Sequence, residues 1–192
     1  MGGTYLTNPL VFLVQVLFDA YILVVMLRFL LQWFRADFYN PMSQFVVKIT
    51  TPVLHPLRRV IPGIGGIDFA AILLMWALKS VELTLMLLLV SGELNPLLPL
   101  LWAVPALIGL LINVFIFAIL IQVILSWVNP GAYNPATALL YSLTEPLLRP
   151  ARRLIPPIGG LDLSPMLVMI GLYLLEMLLL PPLQMLTGSP FH

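Results

Sequence analysis

The sequence predicts an all-α integral membrane protein, with four transmembrane helices arranged as two parallel repeats of span, amphipathic loop and span. Three observations predict it. Hydrophobic residues make up 61 % of the 192 residues and charged residues only 9 %, against about 45–50 % and about 25 % in soluble domains. Four apolar stretches each supply the roughly 20 residues that a bilayer crossing requires. The chain also matches itself at a constant offset, which is the mark of a duplicated architecture.

The first span runs over about 10–33 and is interrupted only by Gln15, Asp19, Arg28 and Gln32. No basic region precedes it and it is too long for a signal-peptide core, so it reads as a span rather than a cleavable leader. The second, about 67–90, contains Lys79 and Glu82. The third lies within Leu97–Val128, a stretch too long for one upright helix, and Pro105 predicts a short interfacial piece before the span proper. The fourth, about 161–180, contains Glu176 and is expected to stop at Pro181-Pro182.

Basic residues set the orientation. Arg35, Lys48, Arg58 and Arg59 lie between spans one and two, and Arg149, Arg152 and Arg153 between spans three and four. The connection from Ser91 to Pro96 and both tails carry neither Lys nor Arg. The expectation is a multi-pass protein of the bacterial inner membrane with both basic loops cytoplasmic and both termini periplasmic.

The repeat needs no gap. At an offset of 94 residues, Tyr39-Asn40-Pro41 falls on Tyr133-Asn134-Pro135, Thr50 and Pro52 on Thr144 and Pro146, and Arg58-Arg59 on Arg152-Arg153. Gly65-Gly66 falls on Gly159-Gly160, Asp68 on Asp162, Trp33 on Trp127 and Glu82 on Glu176. From Leu31 to Glu82, 21 of 52 aligned positions are identical. Residues 1–94 and 95–192 therefore form one repeat each. Two spans per repeat return the chain to its starting side, so the copies point the same way, unlike the inverted repeats of many transporters.

Each loop opens on Asn-Pro, an N-cap followed by the first helical position. Met42, Phe45, Val46 and Ile49 then share a helical face, with Ser43, Gln44 and Lys48 mostly opposite; Leu139, Leu140 and Leu143 form the apolar face of the second copy. Pro52 and Pro146 are expected to interrupt a continuous helix, and Pro56, Pro62, Pro150, Pro156 and Pro157 to keep the segment bent. Such a segment lies in the headgroup plane; a re-entrant hairpin or a partner-docking surface is the alternative. Arg58, Arg59, Arg152 and Arg153 are candidate contacts to anionic headgroups, each worth about 1 kcal/mol, or to a partner. The paired glycines supply the turn back into the membrane. Asp68 and Asp162 are expected at the N-caps of spans two and four, where a carboxylate accepts free amide hydrogens, with an Asp–Arg contact to the nearby pair as a further expectation.

These residues resemble the YggT (YlmG-related) family of small membrane proteins. The pattern is Tyr39-Asn40-Pro41, then Thr50-x-Pro52-x-Leu54-x-Pro56-x-Arg58-Arg59-x-Ile61-Pro62-x-Ile64-Gly65-Gly66-x-Asp68, recurring from Tyr133 to Asp162 as in double-repeat bacterial members. The resemblance implies a protein without enzymatic activity. It associates bacterial members with tolerance of osmotic stress, and some with neighbouring cell-division genes. It links plastid relatives to cytochrome b6 haem assembly and nucleoid distribution. No catalytic role comes with the motif.

Charged residues inside spans cost about 2.5–3.5 kcal/mol on insertion scales and point to function. Arg28 is close enough to its span's end to snorkel and carries no expected role. Asp19 and Lys79 fall at similar depth, and the repeat replaces them by Asn113 and Tyr173. This predicts a polar contact between the two spans of each repeat, ionic in the first and neutral in the second. Glu82 and Glu176 hold equivalent positions near mid-membrane. Lys79 can neutralise Glu82 along the helix, whereas Tyr173 cannot serve Glu176. They read either as carboxyls that hold helices together or as an ion- or proton-linked site.

Other chemistry is excluded or weak. There is no cysteine, hence no disulfide, thiolate metal site or Cys nucleophile. His55 is matched by Arg149, so paired haem ligation within one chain is not expected. No nucleophile elbow or phosphate loop is present, and the net charge of +1 gives no footprint for nucleic acid. No cofactor or metal is predicted. The expected partners are membrane lipids with anionic headgroups, a second copy of the chain or another membrane protein. Three functions remain open: an envelope factor under osmotic stress, a small ion channel or transporter subunit using Glu82 and Glu176, and a scaffold for cell division or cytochrome maturation.

Overall fold

The computed structural model describes residues 3–92, 94–128, 134–155 and 162–189, with side chains from residue 8 onward. Six helices follow in order: α1 (Gly3–Trp33), α2 (Pro41–Val60), α3 (Phe69–Ser91), α4 (Leu97–Val128), α5 (Pro135–Leu154) and α6 (Ser164–Thr187). Four of them, α1, α3, α4 and α6, are long and apolar enough to cross a membrane. The amphipathic helices α2 and α5 join the spans of each half, and both lie at one end of the bundle, here the basic end.

In space the spans form a row in which α3 packs on α1 and α4, and α4 in turn on α6. Without a hydrophobic effect between helices in lipid, close backbone approach stabilises such contacts. Ala70 and Ala71, both fully buried, belong to the same apolar cluster as Ile22, Val25 and Met26 of α1. Gly109 provides close approach between α4 and α6, where an added Cβ would stand 3.1 Å from Leu180 Cδ1. Indole donors tie the opposite end: Trp76 Nε1 donates to Leu100 O at 2.9 Å and Trp102 Nε1 to Thr187 O at 3.0 Å. The main apolar cluster includes Leu54 of α2 and Leu143 of α5, so both amphipathic helices are docked on the spans.

Three expectations about proline are corrected. Helix α4 is one continuous helix through Pro105, with no separate interfacial piece. Helix α6 passes through Pro181-Pro182 and ends at Thr187, where Gly188 adopts φ 65° as a left-handed cap. Helices α2 and α5 run unbroken through Pro52 and Pro56, and through Pro146 and Pro150. A proline removes one donor and crowds the preceding turn. In α2, α5 and α6 these prolines lie on exposed faces, where the backbone can bend away from the packed side and the freed carbonyls keep access to surrounding polar groups. The bend expected at Pro156 and Pro157 lies outside the described residues.

The faces of α2 are also reassigned. Ser43, Val46, Thr50 and Leu54 are buried, whereas Met42, Phe45 and Ile49 are exposed. The spans accept the small and hydroxylated ridge because its polar groups are satisfied: Ser43 Oγ donates to Asp37 O at 2.8 Å and Thr50 Oγ1 to Val46 O at 2.7 Å. The bulky apolar flank is left facing away from the protein. Between α2 and α3, Ile64 and Ile67 exchange backbone hydrogen bonds at 3.2 and 3.0 Å across Gly65-Gly66. Both glycines take positive φ, 63° and 87°, as a two-residue turn with left-handed centres requires. Gly159-Gly160 of the second copy lie outside the described residues.

Besides the packing of α3 on α4, the two halves meet through their helix caps. Asn40 Oδ1 accepts the Met42 N–H at 2.9 Å, while its Nδ2 donates to Pro135 O, at the first turn of α5, at 2.7 Å. Asn134 caps α5 through a capping box with Thr137. Replacing Asn40 by Ala is expected to remove about 1 kcal/mol of capping and about 0.5–1.5 kcal/mol of cross-half hydrogen bonding. Asn134→Ala should lose the capping part alone. Thermal unfolding of the two variants in detergent checks the difference.

Candidate functional site

A cavity of about 330 Å³ opens among α1, α3, α4 and α6, from mid-depth toward the end away from the amphipathic helices, and Glu82 and Glu176 both line it. The duplication accounts for this meeting. Like-oriented copies present equivalent helix positions at one depth, and α4, packed between α3 and α6, brings their carboxyls to one space. Gln15, Lys79, Asn113 and Gln184 supply the other polar lining, and Leu83, Met86, Trp102 and Leu180 are among the apolar walls.

The two carboxylates differ in their partners. Lys79 Nζ donates to both Glu82 oxygens at 2.8 and 2.9 Å and to Asp19 Oδ1 at 2.8 Å, so one ammonium serves two anions. Glu82 is 1 % exposed, Lys79 14 % and Asp19 50 %. Glu176 forms no ion pair among the described residues. Its oxygen accepts Asn113 Nδ2 at 3.1 Å, and the same amide donates to Gly109 O at 2.9 Å. Both amide hydrogens of Asn113 are thereby used, and its Oδ1 accepts no hydrogen bond among the described residues. The expected Asn113–Tyr173 contact is therefore corrected to Asn113–Glu176, with Tyr173 48 % exposed on the outside of the bundle. With tyrosine in place of lysine three residues before the glutamate, the acceptor draws its donor from α4 instead.

The basic end holds a second polar arrangement, once in each half. Arg28 does not snorkel to the span's end as expected but is 7 % exposed. It bridges α1 to α2: Nη1 donates to Val47 O at 2.9 Å, Thr50 Oγ1 at 2.8 Å and Thr51 Oγ1 at 3.0 Å. Gln122 stands at the equivalent position in α4 and meets Thr144 of α5. Snorkelling presumes that a terminal cation reaches water; here α2 lies across its path and supplies acceptors. The signal for this pairing is the threonine kept in both copies, because its partner changes from Arg to Gln and escapes an identity scan.

Arg58 pairs with Asp68 and also donates to Gln32 Oε1 at 3.1 Å. Arg152 pairs with Glu145 at 2.7 Å and with Asp162 at 2.9 Å. These two arginines tie each amphipathic helix to the start of the next span, whereas Arg59 and Arg153 are exposed. Asp68 is the N-cap of α3 and accepts Ala71 N–H at 3.2 Å. The expectation for Asp162 is corrected: the cap position is Leu163, and Asp162 accepts Ser164 N–H at 2.9 Å from one residue earlier. Pro165 supplies no N–H to a carboxylate there, which shifts the bond to Ser164. Burial alone would raise the Asp162 carboxyl, but its hydrogen bonds to Ser164 and Arg152 prevail and hold it below the usual value. Burial alone would lower Arg152; hydrogen bonds to Asp162 and Glu145 prevail and raise it.

No group of three or more His, Asp or Glu among the described residues could hold a metal ion. Among the described residues the Glu176 carboxylate in the cavity has no ion-pair partner, and the amides of Gln15, Asn113 and Gln184 line the same space with Lys79.

Comparison with known proteins gives a consistent assignment. The chain matches the CCB3/YggT family model twice, over residues 7–89 and 101–183. It is 47 % identical over 189 residues to the protein PA0392 of Pseudomonas aeruginosa, covering 96 % of this chain and 95 % of that one. It is 42 % identical over 172 residues to the protein YggT of Escherichia coli K12, covering 88 % of each. A protein in the proC 3'region of Vibrio alginolyticus is 46 % identical over 171 residues, covering 86 % of this chain and 90 % of its own length. No solved structure matches. With a bundle of four apolar helices and two family matches that take in nearly the whole chain, this membrane-type protein belongs to the CCB3/YggT family.

Proposed function

We propose that the chain is a non-enzymatic, multi-pass protein of the bacterial inner membrane that supports envelope homeostasis under osmotic stress. Its working part is the cavity among α1, α3, α4 and α6, which takes a small monovalent cation at Glu176. The basic amphipathic helices face the cytoplasm and the cavity opens toward the periplasm, an orientation supported by the uneven placement of Lys and Arg. The family resemblance supports the osmotic setting. The observation that carries the cation site is the shared cavity in which Glu82 is already neutralised by Lys79 while Glu176 is not. An intramembrane carboxylate without a counter-ion calls for one.

Binding of an alkali cation to the native state raises thermal stability in proportion to its occupancy. Glu176→Gln is expected to weaken the cation-dependent shift of the purified protein at least about tenfold. It should also remove complementation of a deletion strain at high osmolarity, at equal expression. Unchanged cation dependence in Glu176→Gln would overturn the site. Full complementation by that variant would overturn its role.

A further inference from the structure

The geometry points to a second binding site, at the basic end of the second half: a cavity between α4, α5 and α6, lined by Trp127 and Tyr141, that receives a primary ammonium group at Asp162. The cavity measures about 610 Å³ and is lined by Gln122, Ser126, Trp127, Tyr141, Arg152 and Asp162, with Met166 and Met169 among its apolar walls. That volume lies within the usual range for small-ligand pockets.

The first half shows why the space is there. At the equivalent positions it carries Arg28 where the second has Gln122, and Gln32 where the second has Ser126. Arg28 reaches across to α2, and Gln32 accepts from Arg58. The second half carries the shorter side chains Gln122 and Ser126 at these positions, and both line the cavity.

The charge balance is also reversed. Around the first joint stand two cations, Arg28 and Arg58, and one anion, Asp68. Around the second stand one cation, Arg152, and two anions, Glu145 and Asp162. Glu145 holds Arg152 Nη1 with both oxygens, at 3.0 and 2.7 Å. Arg152 Nε donates to Asp162 at 2.9 Å, so one guanidinium serves two carboxylates and the group of three is left with one negative charge in excess. Asp68 is 3 % exposed, whereas Asp162 is 36 % exposed on the cavity wall. Trp127 and Tyr141 line the same cavity as this net-negative group, and aromatic rings beside excess negative charge suit a cation. Ammonium groups reach such a position either on an aminophospholipid or as a free amine.

The first half also supplies the control. Gln122→Arg with Ser126→Gln fills the cavity with the residues that the other copy uses, and Glu145→Thr installs its Thr51 counterpart. Native mass spectrometry of the purified full chain would use three probes: short-chain phosphatidylethanolamine, matched phosphatidylglycerol and ethylammonium. The expected result is saturable binding of phosphatidylethanolamine over phosphatidylglycerol, weakened about tenfold in the filled variant and in Glu145→Thr. Should the filled variant not fold, Glu145→Thr alone decides. Binding of ethylammonium without the lipid assigns the same site to soluble amines. Equal retention of both lipids, binding of neither amine, or variants that bind like the parent would overturn the proposal.

Discussion

Replacing Lys79 by Met is expected to be among the most damaging single changes in the chain, at about 3–5 kcal/mol, the usual result of removing one partner from a buried ion pair. Glu82 is the reason. At 1 % exposure it receives both of its short charged contacts from Lys79, and its removal from that ammonium leaves an anion without compensation. Asp19, half exposed, loses the same partner and suffers less. Adding Glu82→Gln to Lys79→Met should return most of the loss, because neutral groups of similar size replace a buried pair at little net change. Denaturant unfolding in detergent of the single and double variants gives the coupling directly. Equal stability of Lys79→Met and the parent would show that the ammonium is not what stabilises Glu82.

The second large effect is expected at Arg28. Arg28→Met removes three hydrogen bonds between α1 and α2 and leaves Thr50, which is fully buried, without its cross-helix partner. Charge-assisted bonds contribute about 1.5–3 kcal/mol each, and bonds that share one nitrogen do not add fully. A total of about 2–4 kcal/mol follows. Arg28→Gln should cost less than Arg28→Met, since Gln122 makes the corresponding contact to Thr144 in the other half. The same unfolding assay ranks the two. A methionine variant as stable as the glutamine variant would contradict the role given to this joint.

Much of the architecture could be read from the chain because duplication records geometry. A gapless offset fixes which residues share depth and orientation, and this is why the sequence alone pairs Glu82 with Glu176. Alternation of apolar spans with basic loops fixes the order of elements. Proline was read too strictly: Pro52, Pro146 and Pro181-Pro182 lie on exposed faces, where a lost donor is tolerated. The packed face of α2 was read from hydrophobicity alone, yet in a membrane protein apolar side chains are as well placed toward lipid as toward protein. The buried ridge is instead the small one, Ser43 and Thr50, whose hydroxyls bond to backbone carbonyls.

The polar joints were the hardest part to foresee. Identity between the halves draws attention to what is unchanged, such as Thr50 and Thr144, or Asp68 and Asp162. The chemistry lies in what changed around them: Arg28 against Gln122, Gln32 against Ser126, Thr51 against Glu145. Each exchange alters reach or charge, and together they close one joint and open the other. Asn113 followed the same rule. With tyrosine at 173 in place of lysine, the acceptor on α6 took its donor from a neighbouring helix.

Because the chain contains no cysteine, single cysteines placed at Gln15, Gln184, Arg59 and Arg153 can be probed in sealed vesicles with a membrane-impermeant thiol reagent. The account predicts that the Arg59 and Arg153 variants react from one and the same face. The Gln15 and Gln184 variants, on the wall of the cavity shared by Glu82 and Glu176, should react from the opposite face. Arg59 and Arg153 variants labelled from different faces, or cavity variants that no reagent reaches from either side, would contradict it.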